Sequence, residues 1–139
     1  IQVIDRALAL HRPDPADPIG VLSKVGGFDI AAMAGFYLGC ALHRVPVILD
    51  GYISGAAALI AARLCPAAAD VLLPSHLSAE PGAGLVIEAL GLRPLLRLGM
   101  ALGEGTGAVS LMPLIDMALG VYFDMPSFDG IGIEAYKPL

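Results

Sequence analysis

The most chemically informative segment is a glycine-rich loop around one carboxylate. Residues 102–107 read LGEGTG, so Glu104 lies between two glycines and is followed by the hydroxyl of Thr106. The glycines leave little side-chain bulk beside the backbone, so a ligand can approach the main-chain N–H groups closely. A helix starting just after the loop would add positive potential for a phosphate or a developing anion. Glu104 is therefore a candidate general base, and Thr106 a candidate substrate-binding residue.

A tight turn with a solvated glutamate is the simpler interpretation of the same loop. The loop is neither a dinucleotide-binding fingerprint nor a P-loop, because no Lys-Ser or Lys-Thr pair follows its glycines. The loop residues alone leave these two interpretations open.

A second polar loop, PSHLSAEPG, covers residues 74–82. Ser75 or Ser78 with His76 would make a hydrolase nucleophile and base, but neighbours on a loop rarely face each other and no Gly-x-Ser-x-Gly elbow is present. We favour a loop in which Ser78 and nearby backbone donors hold a phosphate and Glu80 caps the following helix. Plain turn formation and capping remain the alternative for Ser75 and Glu80.

Asp50 and Gly51 follow a short run of β-branched residues at a predicted strand end. Asp50 could orient a ribose hydroxyl, or it could order neighbouring loops together with Gly51, Ser75 and His76. A simple turn explains the Asp-Gly pair equally well.

These loops need elements to position them, and helical and strand-like segments alternate along the chain. Hydrophobic spacing, prolines and glycines predict helices over residues 1–10, 18–24, 30–43, 54–64, 81–90 and 108–123, and strands over 45–49 and 71–73. Residues 95–98 are ambiguous, and 124–139 are expected to form an irregular tail.

The alternation predicts a single α/β domain over residues 1–139, with a mainly parallel sheet flanked by helices in a Rossmann-like three-layer arrangement. Ligands bind beyond the carboxyl ends of such strands. That rule selects Asp50-Gly51, the loop after residue 74 and the loop at 103–107.

Composition restricts the class of protein further. Hydrophobic residues make up 57% of the chain and charged residues 15%, so part of the apolar surface is expected to face a partner or another part of a longer chain. Charged residues interrupt every uncharged stretch early, so we expect no membrane span. The net charge of −5 argues against a nucleic-acid surface.

The remaining composition signals are weak. Cys40 and Cys65 have no metal-type spacing and are predicted to be small buried hydrophobes, and we expect no metal or cofactor. The opening residues lack a basic region before an apolar one, so we expect a cytoplasmic protein.

Four segments together resemble the nicotinate-nucleotide–dimethylbenzimidazole phosphoribosyltransferase family, in that order and at its spacing. They are residues 25–35 (VGGFDIAAMAG), 47–53 (VILDGYI), 75–80 (SHLSAE) and 102–107 (LGEGTG). The resemblance covers nearly the whole chain and weakens only in the tail.

The resemblance implies transfer of the phosphoribosyl group of nicotinate mononucleotide to 5,6-dimethylbenzimidazole, giving α-ribazole 5′-phosphate and nicotinate in cobalamin synthesis. The family's catalytic glutamate matches Glu104. Leu102 matches a position lining the base pocket, while Ser78 and Gly103 match positions near the phosphoribosyl group, with Gly105 beside them. A homodimer without metal or cofactor is also implied.

Family members are more than twice as long as this chain. The resemblance therefore identifies these residues as the C-terminal portion of a larger phosphoribosyltransferase fold. The N-terminal part of the family contributes further strands and nucleotide contacts, including a lysine. A truncated, non-catalytic nucleotide- or azole-binding module is the alternative.

Overall fold

Three helices precede the first strand. In the computed structural model, which describes residues 1–127 and 129–134, they span Gln2–His11 (α1), Pro18–Val25 (α2) and Phe28–His43 (α3). Asp17 caps α2, because its carboxylate accepts a 2.9 Å hydrogen bond from the N–H of Gly20. The predicted cap and start of α2 are confirmed.

A strand–helix–strand unit forms the centre of the fold. Strand β1 (Val47–Leu49) leads into helix α4 (Tyr52–Leu64), and a 3₁₀ turn over Pro66–Val71 enters strand β2 (Leu72–Pro74). The two strands are parallel, which requires the crossover that α4 provides. The α/β class with a small parallel sheet is therefore confirmed. Within the described residues the sheet has two strands, so the three-layer Rossmann-like arrangement stays a prediction.

The ambiguous segment at 95–98 runs extended beside the chain that leaves β2. Leu96 pairs with His76 in an isolated parallel bridge, and Leu77 N–H donates to the carbonyl of Leu96 at 2.9 Å. Further along, Ala79 N–H donates to the carbonyl of Met100 at 2.9 Å. This pairing brings the loop after β2 next to the segment that leads into the glycine-rich loop.

Four helices begin two residues away from their predicted starts, and α3 and α4 both begin early. Helix α5 covers Ala83–Ala89 and starts two residues late, with Gly82 at its N-cap and no side-chain cap. The expected capping by Glu80 is therefore wrong. Helix α6 covers Thr106–Asp124 and starts two residues early.

The predicted irregular tail begins where α6 ends. Asp124 is the last helical residue, and Asp129–Ile131 forms a 3₁₀ turn. Residues 128 and 135–139 of that tail lie outside the described residues. The single-domain assignment over 1–139 stays a prediction.

Small side chains let the helices pack closely on β1 and β2. Ala57, Ala58 and Ala61 of α4 are fully buried, and α4 packs against α3, α5 and β1. Other buried members of this core are Ala34, Tyr37, Cys40, Val47, Leu49, Ala68 and Leu72. Cys65 is exposed, so the prediction of two buried cysteines is wrong for that residue.

Helix α6 leaves much of its apolar surface exposed. Its large exposed side chains include Val109, Met112, Met117 and Phe123, whereas Leu111 is buried. Among the described residues it is the one helix that is long and apolar enough to cross a membrane, judged by length and composition alone. One such helix is weak evidence of a span, and the expected absence of a membrane contact stays a prediction.

Candidate functional site

An open cleft of about 390 Å³ lies at the carboxyl ends of the two strands. Its walls come from the residues after β1, the loop after β2 and the glycine-rich loop before α6. Of the residues selected from the sequence, those that line it are Asp50, Gly51, His76, Ser78, Leu102, Gly103, Glu104 and Gly105. Thus most of the candidate residues, which are up to 55 positions apart in the chain, meet at one place.

The carboxylate of Asp50 holds the first turn of α6. Its Oδ1 accepts hydrogen bonds from the N–H groups of Gly107 at 2.8 Å and Ala108 at 3.2 Å, and its Oδ2 accepts one from Gly105 at 3.1 Å. These N–H groups are among those that a helix start leaves unpaired, and the helix dipole favours an acidic group there. The donors expected to serve a phosphate are therefore already bonded to Asp50.

The glycines beside Glu104 adopt a backbone conformation that few other residues reach. Gly103 and Gly105 both have φ of +76°. Side chains with a Cβ are strained in this region, so the turn that presents Glu104 requires glycine at both positions. Glu104 itself is exposed at the cleft, and the neighbouring Leu102 side chain is 75% exposed.

Thr106 and Ser75 lie behind the cleft wall. Thr106 Oγ1 donates to the carbonyl of Gly103 at 2.7 Å, which closes the loop on itself. Ser75 is fully buried, and its hydroxyl donates to the main-chain carbonyl of Asp50 at 2.9 Å.

The adjacent residues Ser75 and His76 do face each other, against our expectation. Ser75 Oγ lies 3.1 Å from His76 Nδ1. The single hydroxyl proton of Ser75 goes to the carbonyl of Asp50, so in this arrangement Ser75 Oγ accepts the proton of Nδ1. A buried hydroxyl with this bonding cannot act as a nucleophile, so the geometry argues against the hydrolase interpretation at Ser75.

Ser78 and Glu80 form a local pair in the cleft wall. Ser78 Oγ donates to Glu80 Oε2 at 3.1 Å and accepts from the N–H of Glu80 at 3.4 Å. This pairing replaces the expected capping of α5, and it turns the Ser78 hydroxyl toward a carboxylate.

The described residues that line the cleft include acidic groups and no lysine or arginine. Asp50, Glu80 and Glu104 contribute carboxylates to it. Burial raises the pKa of the Tyr37 phenol, and the charges of Asp50 and Cys40 raise it further. Within residues 1–127 and 129–134, no three His, Cys, Asp or Glu side chains gather where they could hold a metal ion.

Sequence reasoning missed several lining residues. Met33, Tyr52, Ile53 and Ser54 also face the cleft. Tyr52 and Ile53 directly follow Asp50-Gly51, so their position at a strand end was an available signal. Met33 belongs to α3 and reaches the cleft through tertiary packing, which no local pattern shows.

Fold and cleft together define an α/β protein with a cleft at the carboxyl edge of a parallel sheet, where folds of this class bind their ligands. The model of a phosphoribosyltransferase family matches residues 1–133. A nicotinate-nucleotide–dimethylbenzimidazole phosphoribosyltransferase of Clostridium acetobutylicum is 50% identical over 139 residues, which are 100% of this chain and 40% of that protein. The enzyme of that name from Desulforudis audaxviator is 53% identical over 135 residues, covering 97% of this chain and 38% of its own length.

A solved structure agrees with these matches. The crystal structure of the Thermus thermophilus enzyme of the same name has a TM-score of 0.87 and 44% identity, covering 97% of this chain and 40% of that one. The chain belongs to the nicotinate-nucleotide–dimethylbenzimidazole phosphoribosyltransferase family. It spans about 40% of the length of the relatives it matches.

Proposed function

We propose that the chain supplies the acceptor side of a phosphoribosyltransferase site. The reaction transfers the phosphoribosyl group of nicotinate mononucleotide to 5,6-dimethylbenzimidazole and releases nicotinate, in the synthesis of the cobalamin lower ligand. The proposal rests on membership of the family and on a cleft that presents a carboxylate beside an apolar side chain.

The chemical step needs one proton acceptor. One ring nitrogen of dimethylbenzimidazole attacks the anomeric carbon of the ribose, and the bond from that carbon to the nicotinate nitrogen breaks with inversion. Glu104 takes the proton of the other ring nitrogen, so the product is a neutral azole nucleotide and the bonding electrons leave with nicotinate. A general base must reach the proton it removes, and the exposed position of Glu104 between two glycines supports that role.

A flat apolar acceptor fits the side chains around Glu104. Leu102 is exposed next to it, and Met33, Tyr52 and Ile53 add apolar surface to the same cleft. Ligand sites of this kind are mostly apolar with a few placed polar groups, which orient the ligand. Leu102 is proposed to contact the benzimidazole ring.

Phosphate binding requires positive charge that the described lining of this cleft lacks. Its charged groups are Asp50, Glu80 and Glu104, and the N–H groups at the start of α6 point to Asp50. We infer that cations come from elsewhere in the complete enzyme, while Ser78 and Gly103 supply polar contacts. Gly105 and Thr106 are proposed to shape the substrate loop, because the N–H of Gly105 is bonded to Asp50 and the hydroxyl of Thr106 to the carbonyl of Gly103. Ser78 would turn its hydroxyl from Glu80 to the phosphate.

The remaining functional expectations are also proposals. We infer a cytoplasmic homodimer that uses no metal or cofactor. The exposed apolar side chains of α6 support an association surface, because exposed apolar patches of this kind usually mark one.

The direct test measures nicotinate release from nicotinate mononucleotide with and without 5,6-dimethylbenzimidazole. The 139-residue chain is assayed beside a longer protein that contains it. We expect acceptor-dependent release by the longer protein. Release that does not depend on the acceptor, or none at all, would contradict the proposal.

A non-catalytic module that binds an azole or a nucleotide is the second candidate. The coverage of about 40% of each relative favours it for the 139 residues alone, because the described lining of the cleft has no cation to hold a phosphate. Calorimetric binding of 5,6-dimethylbenzimidazole without nicotinate release in either form would support this candidate.

A further inference from the structure

The backbone of Gly107, at the start of α6, lies so close to the imidazole of His76 that a side chain on residue 107 would not fit between them. Gly107 is buried in this contact. A Cβ built on Gly107 would overlap Nδ1 and Cε1 of His76, and it would lie 3.0 Å from Asp50 Oδ1. The space beside the first turn of α6 is therefore already filled by the imidazole ring.

The imidazole cannot easily move out of that space. His76 is 5% exposed, and its Nδ1 is bonded to Ser75 Oγ, whose own proton is held by the carbonyl of Asp50. A methyl group on Gly107 would therefore displace the helix start rather than the ring alone.

The helix start and the glycine-rich loop move together. Asp50 bonds the N–H groups of Gly107 and Ala108 through Oδ1 and that of Gly105 through Oδ2, so one carboxylate ties the helix to the loop. Glu104 directly precedes Gly105. A shift of the first turn would therefore break this anchoring and move the carboxylate of Glu104.

We propose that Gly107 is a positioning residue for the general base, Glu104. Only glycine at this position lets the first turn of α6 lie against both His76 and Asp50, and that placement of the turn holds Glu104 at the acceptor. This inference rests on the phosphoribosyl transfer proposed above. Small misplacements of a catalytic group lower the rate strongly, by as much as about 100-fold for about 1 Å.

The test compares two glycine-to-alanine changes on the same helix, made in the longer protein. Gly107→Ala should lower kcat for nicotinate release about ten-fold or more, with little change in KM for nicotinate mononucleotide. Gly120→Ala is the matched control, because the one described atom that a Cβ there would meet is Asp124 Oδ2, at 3.8 Å. It should keep wild-type kcat.

A double variant separates positioning from loss of folding. His76→Ala removes the ring that a methyl group on residue 107 would strike, so Gly107→Ala/His76→Ala should recover kcat to the level of His76→Ala alone. Contacting residues show such non-additive effects. This recovery is expected even where Gly107→Ala alone does not fold. Wild-type kcat in a folded Gly107→Ala, or a folded double variant with kcat well below that of His76→Ala, would overturn the inference.

The outcomes also separate this inference from the proposed function. A wild-type longer protein that releases no nicotinate removes the proposed function itself. Active wild-type protein together with an unaffected Gly107→Ala removes only the role of Gly107.

Discussion

The polar side chains in and behind this cleft bond to one another and to the backbone. Asp50 binds three main-chain N–H groups, Ser75 and His76 bond behind it, and Ser78 faces Glu80. Among the carboxylates of the cleft, Glu104 is exposed, and none of the described hydrogen bonds involves its side chain. To bind a substrate phosphate, the Ser78 hydroxyl would have to give up its hydrogen bond to Glu80.

Ser78 is proposed to contact the phosphate of the nucleotide, so its loss should weaken nucleotide binding. Ser78→Ala in the longer protein should raise KM for nicotinate mononucleotide about ten-fold to 100-fold, because a hydrogen bond to a charged group contributes about 1.5–3 kcal/mol. Steady-state kinetics with varied nucleotide measure the effect. Ser23→Ala, at an exposed position in α2, is the control. An unchanged KM would remove Ser78 from the phosphate contacts.

Tyr37 gives a prediction about pH. Its folded pKa is raised, first by burial and then by Asp50 and Cys40, so the folded state holds the phenol proton more tightly than the unfolded state does. The contribution of Tyr37 to the free energy of unfolding is therefore fully present below the ordinary tyrosine pKa of about 10. It is lost as the pH rises through the pKa of the folded state.

Urea unfolding of wild type and Tyr37→Phe between about pH 9 and about pH 11 measures this loss. The free energy of unfolding should decrease more steeply with pH in wild type than in Tyr37→Phe. Parallel slopes would show that Tyr37 titrates alike in both states.

At the scale of elements, local patterns predicted the helices and strands well and their junctions poorly. Hydrophobic spacing and proline are local signals, so they predicted the helix from Pro18, the α/β alternation and a strand over 45–49, which the structure has at Val47–Leu49. The path of residues 95–98 was not, because it depends on pairing with the chain after β2. The early start of α6 likewise depends on Asp50, which is 55 or more residues away along the chain.

In the site, too, local features were predictable from the sequence and tertiary contacts were not. The polar loops were recognisable from their glycines, hydroxyls and carboxylates, and the rule for parallel sheets placed them at one edge. The contact between His76 and Gly107 was not predictable, because it depends on tertiary packing. The local sequence LGEGTG does not indicate that a ring fills the space beside its last glycine.

The anchoring of α6 by Asp50 gives a prediction for an element. Asp50→Asn keeps one acceptor oxygen but turns an NH₂ group toward at least one N–H donor, so it should lower the free energy of unfolding by about 1–3 kcal/mol. Urea unfolding of the longer protein measures it. Asp116→Asn, at an exposed position in α6, should leave stability unchanged. Equal stability of both variants with wild type would contradict the anchoring.

At the scale of the whole molecule, the chain matches one part of the longer relatives in its family. It covers about 40% of its relatives, the described lining of its cleft has no cation, and much of α6 is apolar and exposed. These features agree with a site that other parts of the complete enzyme close. Activity is therefore expected of the assembled protein, with Glu104 as the proposed contribution of this chain to the chemistry.

The measurement that tests this account most directly is the rate of nicotinate release by the longer protein with Glu104→Gln. Gln keeps the size of the side chain and removes the proton acceptor. We predict that kcat falls about 100-fold or more, as loss of a general base typically causes, while KM and thermal stability stay close to wild type. A variant that releases nicotinate at the wild-type rate would show that Glu104 is not the base.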